Sequence, residues 1–236
     1  MFPRYWLSQG VARNVAISQH VMARSGLPRS LVIHYGVEPG DLTKRLPTQE
    51  RITSAGICFG YVGRMVAEKG IPSLLRATRI LKDQGHRFAE RLVGDGPERS
   101  KLEAIISAER LESYVRSTGY LSGKDLDDAM RDIDVVVMPS ICEETAGLAA
   151  IEQMMRGRLV IASNIGGLAE VVADAGLRCT PGSPEALAEC MASVLRDPSL
   201  VDSLGTKARE RALKLFARKR MIEEHARLYE AVFAQN

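Results

Sequence analysis

The chain has 236 residues, of which 45% are hydrophobic and 26% charged, enough material for one large or two small globular domains. Its formal net charge of +3 is too small to indicate nucleic-acid binding, and no basic stripe is interleaved with aromatic residues. No segment has the roughly 18 consecutive apolar residues of a membrane span. The first ten residues lack the apolar core of a signal peptide. We therefore expect a cytoplasmic protein, with peripheral contact at the inner membrane face left open.

The four cysteines and four histidines are scattered along the chain, with no spacing typical of a metal site. Cys58, Cys142, Cys179 and Cys190 form no CxxC pair. We predict four buried free thiols in a reducing compartment. No bound metal is expected.

Short apolar, β-branched runs alternate with longer helical patterns. This alternation predicts an α/β fold in which helices cover both faces of a parallel sheet. The predicted strands occupy residues 15–18, 31–34, 57–62, 91–93, 115–117, 135–138, 159–162 and 177–179. Three predicted helices begin near Glu68, at Pro97 and near Thr145 or Ala146. A further helix is predicted from Ala186 to Leu195, and a charged helical tail ends near Phe233.

A polar segment between Pro39 and Arg51 contains two prolines and no hydrophobic periodicity, which predicts a linker. The residues before it, from Val11 to Val37, supply one strand–helix–strand unit, which cannot bury its own faces. We therefore divide the chain into residues 1–45, an incomplete domain with the linker, and residues 46–236, a second domain.

Two glutamates, Glu144 and Glu152, stand eight positions apart in the run PSICEETAGLAAIE. Because the helix is predicted to start just after Glu144, Glu152 should lie about two turns inside it, roughly 12 Å further along the axis. The free amides of the first helical turn favour a phosphate, so the spacing suits a diphosphate with a sugar at each end. The structural alternative is that Glu144 caps the helix and Glu152 faces solvent.

Four more loops follow predicted strands and combine glycine with charged or hydroxyl side chains. They begin at Gly63, Gly94, Gly119 and Gly166. The first, GRMVAEKG, carries Arg64 and Lys69, whose guanidinium and ammonium groups both bind phosphate oxygens. Each loop alone can be explained as a plain strand-to-helix turn. All of them fall at the carboxyl ends of the strands, where ligands bind to open α/β sheets, and together they predict a binding site.

The runs YVGRMVAEKG, LVGDGPER, GYLSGKDL, MPSICEETAGLAAIE and SNIGGLAEVV together resemble the C-terminal domain of the retaining family 4 (group 1) glycosyltransferases of the GT-B fold. The resemblance implies a Rossmann-like sheet that forms half of that fold and binds a nucleoside-diphosphate sugar. It implies that residues 1–45 hold the last unit of an otherwise missing N-terminal domain, and that the tail forms helices that cross back towards it. The implied reaction is hexosyl transfer with retention, without a metal, from a UDP or GDP sugar to an unknown glycan, lipid or small molecule.

The same resemblance assigns roles to single residues. Arg64 and Lys69 match the pair that neutralises the donor diphosphate and the charge growing on the leaving group. Glu144 matches the glutamate that faces the donor sugar, and Glu152 the one that accepts from the ribose hydroxyls. The helix-start amides of Gly147 and Leu148 are assigned to the phosphate. Gly94, Tyr120 and Leu121 are assigned to the walls near the base. The glycine-containing loops described above add Gly63, Gly166 and Gly167 as predicted donor-binding residues.

The sequence departs from the family pattern at Ala146, Gln153 and Leu159, where an aromatic residue, an alanine and a proline are usual. Glu90 and Arg91 also make one central strand unusually polar.

Three hypotheses about function stay open. The chain is the donor-binding half of a glycosyltransferase, either a fragment or one subunit of a split enzyme that needs an N-terminal acceptor domain or a partner. Alternatively, it is a catalytically silent nucleotide-sugar-binding or scaffolding module. A sugar-nucleotide epimerase, which uses a similar fold, fits the order of the motifs less well.

Overall fold

The computed structural model of the chain describes residues 10–39 and 56–234. The predicted linker and the division at residues 45 and 46 lie outside these ranges. The N-terminal range forms a small unit in which strand β1 (Asn14–Ala16) pairs in parallel with strand β2 (Ser30–Val32). Helix α1 (Gln19–Ser25) connects the two strands. It ends at Gly26, which adopts the left-handed conformation that favours glycine.

A six-stranded sheet forms the centre of the second range. Its strands are β3 (Cys58–Val62), β4 (Ala89–Val93), β5 (Val115–Gly119), β6 (Val135–Met138), β7 (Leu159–Ser163) and β8 (Leu177–Cys179). All five pairings between them are parallel, and their order is β5-β4-β3-β6-β7-β8. The chain order therefore reverses between β3 and β6, the position at which open α/β sheets bind ligands.

Helices cover both faces of this sheet. They are α2 (Ile71–Asp83), α3 (Arg99–Ala108), α4 (Gly123–Arg131), α5 (Leu148–Met155), α6 (Gly166–Val172), α7 (Pro184–Arg196), α8 (Ser199–Phe216) and α9 (Arg218–Phe233). Successive strand residues point to opposite faces. Phe59 and Tyr61 of β3 therefore join the core beneath α2, α3 and α7, whereas Cys58 joins the core beneath α5, α6 and α8. The predicted α/β class is confirmed.

All eight predicted strands are present, within two residues at each end. Three predicted helix starts are wrong. The first helix begins at Ile71, after a short 3-10 turn (Ala67–Lys69), and the second at Arg99 rather than Pro97. The third begins at Leu148, because Gly147 takes the left-handed conformation. Glu152 is thus the fifth residue of α5, about one turn inside rather than two.

The predicted helical tail consists of two helices, α8 and α9. Ala217 is extended (φ −70°, ψ 134°) and separates α8 from α9. This break allows Ala217 to bridge in parallel with Val37 of the N-terminal range. The tail therefore contacts the first unit through backbone as well as side chains.

Gln153, where the family pattern has alanine, is explained by a buried cation. Arg158 is only 5% exposed and donates to the Gln153 Oε1 atom at 2.8 Å. It also donates to the carbonyls of Met130 and Ile133. A buried guanidinium needs acceptors, and the amide of Gln153 supplies one that alanine lacks.

The unusual polarity of β4 comes from a buried carboxyl. Glu90 is 1% exposed, and Thr78 of α2 donates to its Oε2 atom. Its Oε1 atom has no hydrogen-bond partner among the described residues. Burial raises the pKa of Glu90 to about 8, against the smaller opposite effect of the Thr78 hydrogen bond.

We expect Glu90 to make the protein less stable as the pH rises from about 4.5 to about 8. The folded protein keeps the proton over this window while the unfolded chain releases it, so unfolding becomes easier as the pH rises. The slope approaches about 1.4 kcal/mol per pH unit. Glu90→Gln should remove this pH dependence from the free energy of unfolding, measured with urea between pH 5 and 8. Glu189→Gln, on the exposed face of α7, is the control. Parallel slopes for wild type and Glu90→Gln would contradict the assignment.

Candidate functional site

The loops after β3 and β6 meet where the strand order reverses. The Nζ atom of Lys69 lies 2.8 Å from the Oε1 atom of Glu144, 75 positions away in sequence. Ser140 donates a hydrogen bond to the same oxygen. The backbones of the two loops are also joined, because the Ile141 amide donates to the Glu68 carbonyl at 2.9 Å. The structure thus brings two predicted catalytic side chains into direct contact.

Arg64 lies exposed on the same β3 loop, and a buried tyrosine fixes its backbone. Tyr61 is 1% exposed, and its hydroxyl donates to the Arg64 carbonyl at 2.6 Å. Burial raises the pKa of Tyr61; the charge of Glu144 adds to the rise and that of Arg64 opposes it. Tyr61 thus joins the Arg64 backbone to the core beneath the β3 loop. Nothing in the sequence distinguishes Tyr61 from an ordinary core residue.

Two glycines allow the loops to approach this closely. A Cβ atom on Gly70 would lie 2.0 Å from the Pro139 carbonyl oxygen, and one on Gly94 would lie 1.9 Å from the Gly63 carbonyl oxygen. Both glycines have positive φ angles, of 66° and 143°. The close approach of the β3 and β4 loops therefore requires glycine at position 94, whether or not Gly94 also contacts a ligand.

A cavity of about 370 Å³ opens at the carboxyl ends of β3, β4 and β5. Five predicted site residues line it: Gly63, Arg64, Gly94, Tyr120 and Leu121. Tyr120 itself is 75% exposed. The volume lies in the range of small-ligand pockets. The positions assigned to the base thus share one cavity with Arg64.

The remaining predicted residues lie on or beneath the start of α5. Gly147 precedes the helix with φ of 57°, and Leu148, its first residue, is 41% exposed. Glu152 is exposed on α5 and forms no ion pair with any part of the chain that the structure describes. Its predicted contact with a ribose stays a prediction.

Gly166 and Gly167 support the glutamate loop, defined here as residues 143–145. The Gly167 amide donates to the Glu144 carbonyl at 2.6 Å. A Cβ atom on Gly167 would lie 2.4 Å from the Thr145 carbonyl oxygen, and one on Gly166 would lie 2.9 Å from that of Glu144. The structure gives both glycines a packing role, and their predicted contact with a ligand stays a prediction.

The prediction of four buried thiols is wrong for Cys142 and Cys190. Cys142 is exposed on the loop after β6, and Cys190 is half-buried on α7. Cys58 and Cys179 are buried, and burial raises the pKa of each thiol to about 11. Within residues 10–39 and 56–234, no three His, Cys, Asp or Glu side chains cluster as metal ligands. No helix in these ranges has the length and apolar character needed to cross a membrane.

Comparison with known families decides the classification. Residues 44–211, which include Arg64, Lys69, Glu144 and Glu152, match the family model described as glycosyl transferases group 1. The chain belongs to this family. The resemblance on which the site prediction depends is therefore confirmed at the level of the family.

Known glycosyltransferases are similar to the chain in sequence, and solved structures share its fold. The 2-deoxystreptamine glucosyltransferase of Streptomyces kanamyceticus is 36% identical over 148 residues, 62% of this chain and 38% of that protein. Sucrose-phosphate synthase from Thermosynechococcus elongatus superposes with a TM-score of 0.80 at 27% identity, over 99% of this chain and 61% of that one. Anabaena HepE in complex with UDP superposes with a TM-score of 0.80 at 22% identity, over 95% of this chain and 65% of that one. The chain thus spans 38–65% of the length of these proteins.

Proposed function

We propose that this chain is the donor-binding half of a retaining glycosyltransferase that transfers a hexosyl group from a nucleoside-diphosphate sugar. The contact between Lys69 and Glu144, 2.8 Å apart where the strand order reverses, carries the proposal. A carboxylate beside a cation offers hydrogen-bond acceptors to a sugar and a positive charge to the adjoining phosphate. Arg64, on the same loop as Lys69, supplies a second positive charge.

The rest of the donor fits around this pair. The base occupies the cavity lined by Gly94, Tyr120 and Leu121, which also contains Arg64. The phosphates accept from the first amides of α5, and the ribose hydroxyls donate to Glu152. UDP or GDP is the proposed nucleotide. The UDP bound to HepE and the glucosyl transfer in the name of the Streptomyces relative support a nucleotide-hexose donor.

In this proposal the two cations act on the leaving group. As the bond between sugar and phosphate breaks, negative charge grows on the diphosphate, and Arg64 and Lys69 stabilise it without a metal. The departing phosphate helps to deprotonate the acceptor hydroxyl on the same face of the sugar, which retains the configuration. Because the acceptor attacks from the same face as the leaving phosphate, Glu144 positions the sugar and does not attack it. In the ligand-free protein Lys69 and Ser140 both bind its Oε1 atom. The acceptor is held with the help of a further N-terminal domain or a partner subunit.

Titration calorimetry with UDP, GDP and ADP tests donor binding. We expect saturable binding of UDP or GDP and a rise in the melting temperature that follows ligand concentration. Absence of heat and of a thermal shift with all three nucleotides would refute the proposal. Where transfer is detected, NMR of the product should show the anomeric configuration of the donor, and an inverted product would refute retention.

A further inference from the structure

The turn between β1 and α1 lies against the glutamate loop. Ser18, which is 2% exposed, donates its hydroxyl hydrogen to the Thr145 carbonyl at 2.8 Å. The same hydroxyl accepts from the Val21 amide and so caps α1. One buried side chain therefore fixes the start of α1 and the residue after Glu144.

Glu170 of α6 attaches this turn to the second domain. Its Oε1 atom accepts from the Gln19 amide at 3.0 Å and lies 2.8 Å from the Nε2 atom of His34. Its Oε2 atom accepts from the His20 amide at 3.1 Å. Burial acts to raise the pKa of Glu170, but the hydrogen bonds from Gln19, His34 and His20 outweigh it and lower the pKa. The ionised carboxylate thus binds the turn with both oxygens.

The glutamate loop is consequently held from two sides. On one side Gly167, from the same helix as Glu170, donates to the Glu144 carbonyl. On the other side Ser18 donates to the Thr145 carbonyl, and Arg24 of α1 pairs with the Glu143 carboxylate at 2.6 Å. Each residue of the loop has a contact that restrains it.

We propose that Glu170 and Ser18 are positioning residues that fix the Glu144 carboxylate where it meets the donor sugar. This inference rests on the proposed function, in which Glu144 contacts the sugar while Arg64 and Lys69 contact the diphosphate. Displacement of a catalytic group by about 1 Å is enough to impair its action. Loss of either positioning residue should therefore weaken recognition of the sugar and leave recognition of the nucleotide intact.

Amide hydrogen exchange in the ligand-free protein tests the restraint directly. Glu170→Gln keeps the size of the side chain but turns an NH2 group towards amide donors. We expect exchange in a peptide covering residues 141–147 to accelerate by about tenfold or more, since local opening free energies fall when such contacts are lost. Glu189→Gln on α7 should leave this peptide unchanged. Unaltered exchange in a folded Glu170→Gln protein would overturn the proposal.

A matched pair at Ser18 separates the restraint from the helix cap. Asparagine and aspartate cap helices about equally well, but only asparagine can donate to the Thr145 carbonyl. Ser18→Asp should therefore accelerate exchange of residues 141–147 more than Ser18→Asn does. Equal exchange in the two variants would overturn the role of Ser18. If Glu170→Gln does not fold, this pair decides the proposal.

The functional measurement compares UDP with UDP-glucose, or GDP with GDP-mannose if GDP binds more tightly. We expect Glu170→Gln to keep the wild-type affinity for the nucleotide. The factor by which the sugar increases the affinity should fall at least about fivefold, the lower end of typical coupling energies. Equal losses for both ligands would indicate a general structural defect and overturn the proposal. If the wild type binds neither ligand, the proposed function fails, and hydrogen exchange still decides whether Glu170 and Ser18 restrain the loop.

Discussion

Replacing Lys69 with alanine should weaken binding of a nucleoside diphosphate by about 1.5–3 kcal/mol, a roughly 10- to 150-fold rise in Kd. The substitution removes a charged donor that is 28% exposed and lies 2.8 Å from Glu144. It also leaves the Glu144 carboxylate next to the diphosphate without its cation, which adds repulsion between like charges. Titration calorimetry with UDP and GDP measures the change.

Lys101→Ala is the matched control for this prediction. Lys101 forms an ion pair of similar length with Glu98, 2.9 Å, on the exposed surface of α3. Its loss should change nucleotide affinity by less than twofold. In the Glu144→Gln background, Lys69→Ala should weaken nucleotide binding less than in the wild type, because residue 144 no longer carries the charge that repels the diphosphate. An unchanged affinity for Lys69→Ala alone would remove this residue from the site.

The second large effect is expected at Gly70. Gly70→Ala should destabilise the fold by about 2–5 kcal/mol, the sum of about 1–2 for a left-handed alanine and about 1–3 for steric overlap. The overlap arises because the new Cβ atom would lie 2.0 Å from the Pro139 carbonyl oxygen. Since Gly70 follows Lys69 and Pro139 precedes Ser140, relief of the overlap should also move Lys69 away from Glu144.

Gly26→Ala isolates the backbone part of this cost. Gly26 has nearly the same conformation (φ 58°, ψ 16°) as Gly70 (φ 66°, ψ 19°), but nothing lies within 4 Å of its added Cβ atom. Gly26→Ala should therefore cost only about 1–2 kcal/mol. Urea denaturation of the two variants gives the difference. Equal losses would show that the contact between the β3 and β6 loops tolerates a methyl group.

The strands and the sheet edge that carries the candidate site were predictable because they depend on local patterns. Apolar, β-branched runs mark buried parallel strands, and in a parallel sheet every loop after a strand reaches the same edge. Arg64, Lys69 and Glu144 follow β3 and β6 directly, so the topology alone brings them together. The start of α5 was misplaced because the sequence does not reveal that Gly147 adopts a left-handed conformation.

Contacts between distant segments could not be predicted in the same way. Ser18 and Thr145 are 127 positions apart, and Gln19 and Glu170 are 151 apart, with no periodic pattern linking them. Tyr61 looks like an ordinary core residue until its hydroxyl is seen beneath the Arg64 loop. The N-terminal unit was recognised as an element of the fold, but its contact with the glutamate loop emerged only from the structure.

In the proposed mechanism, the pairing of Lys69 with Glu144 has a consequence for turnover. A cation that already has a carboxylate neighbour exchanges one anionic partner for another when a diphosphate arrives, so the net gain is the difference between two pairings. The same exchange runs in reverse after the sugar has left, when Glu144 can reclaim the ammonium group. An internal competitor of this kind limits how tightly the spent nucleotide is retained and favours its release.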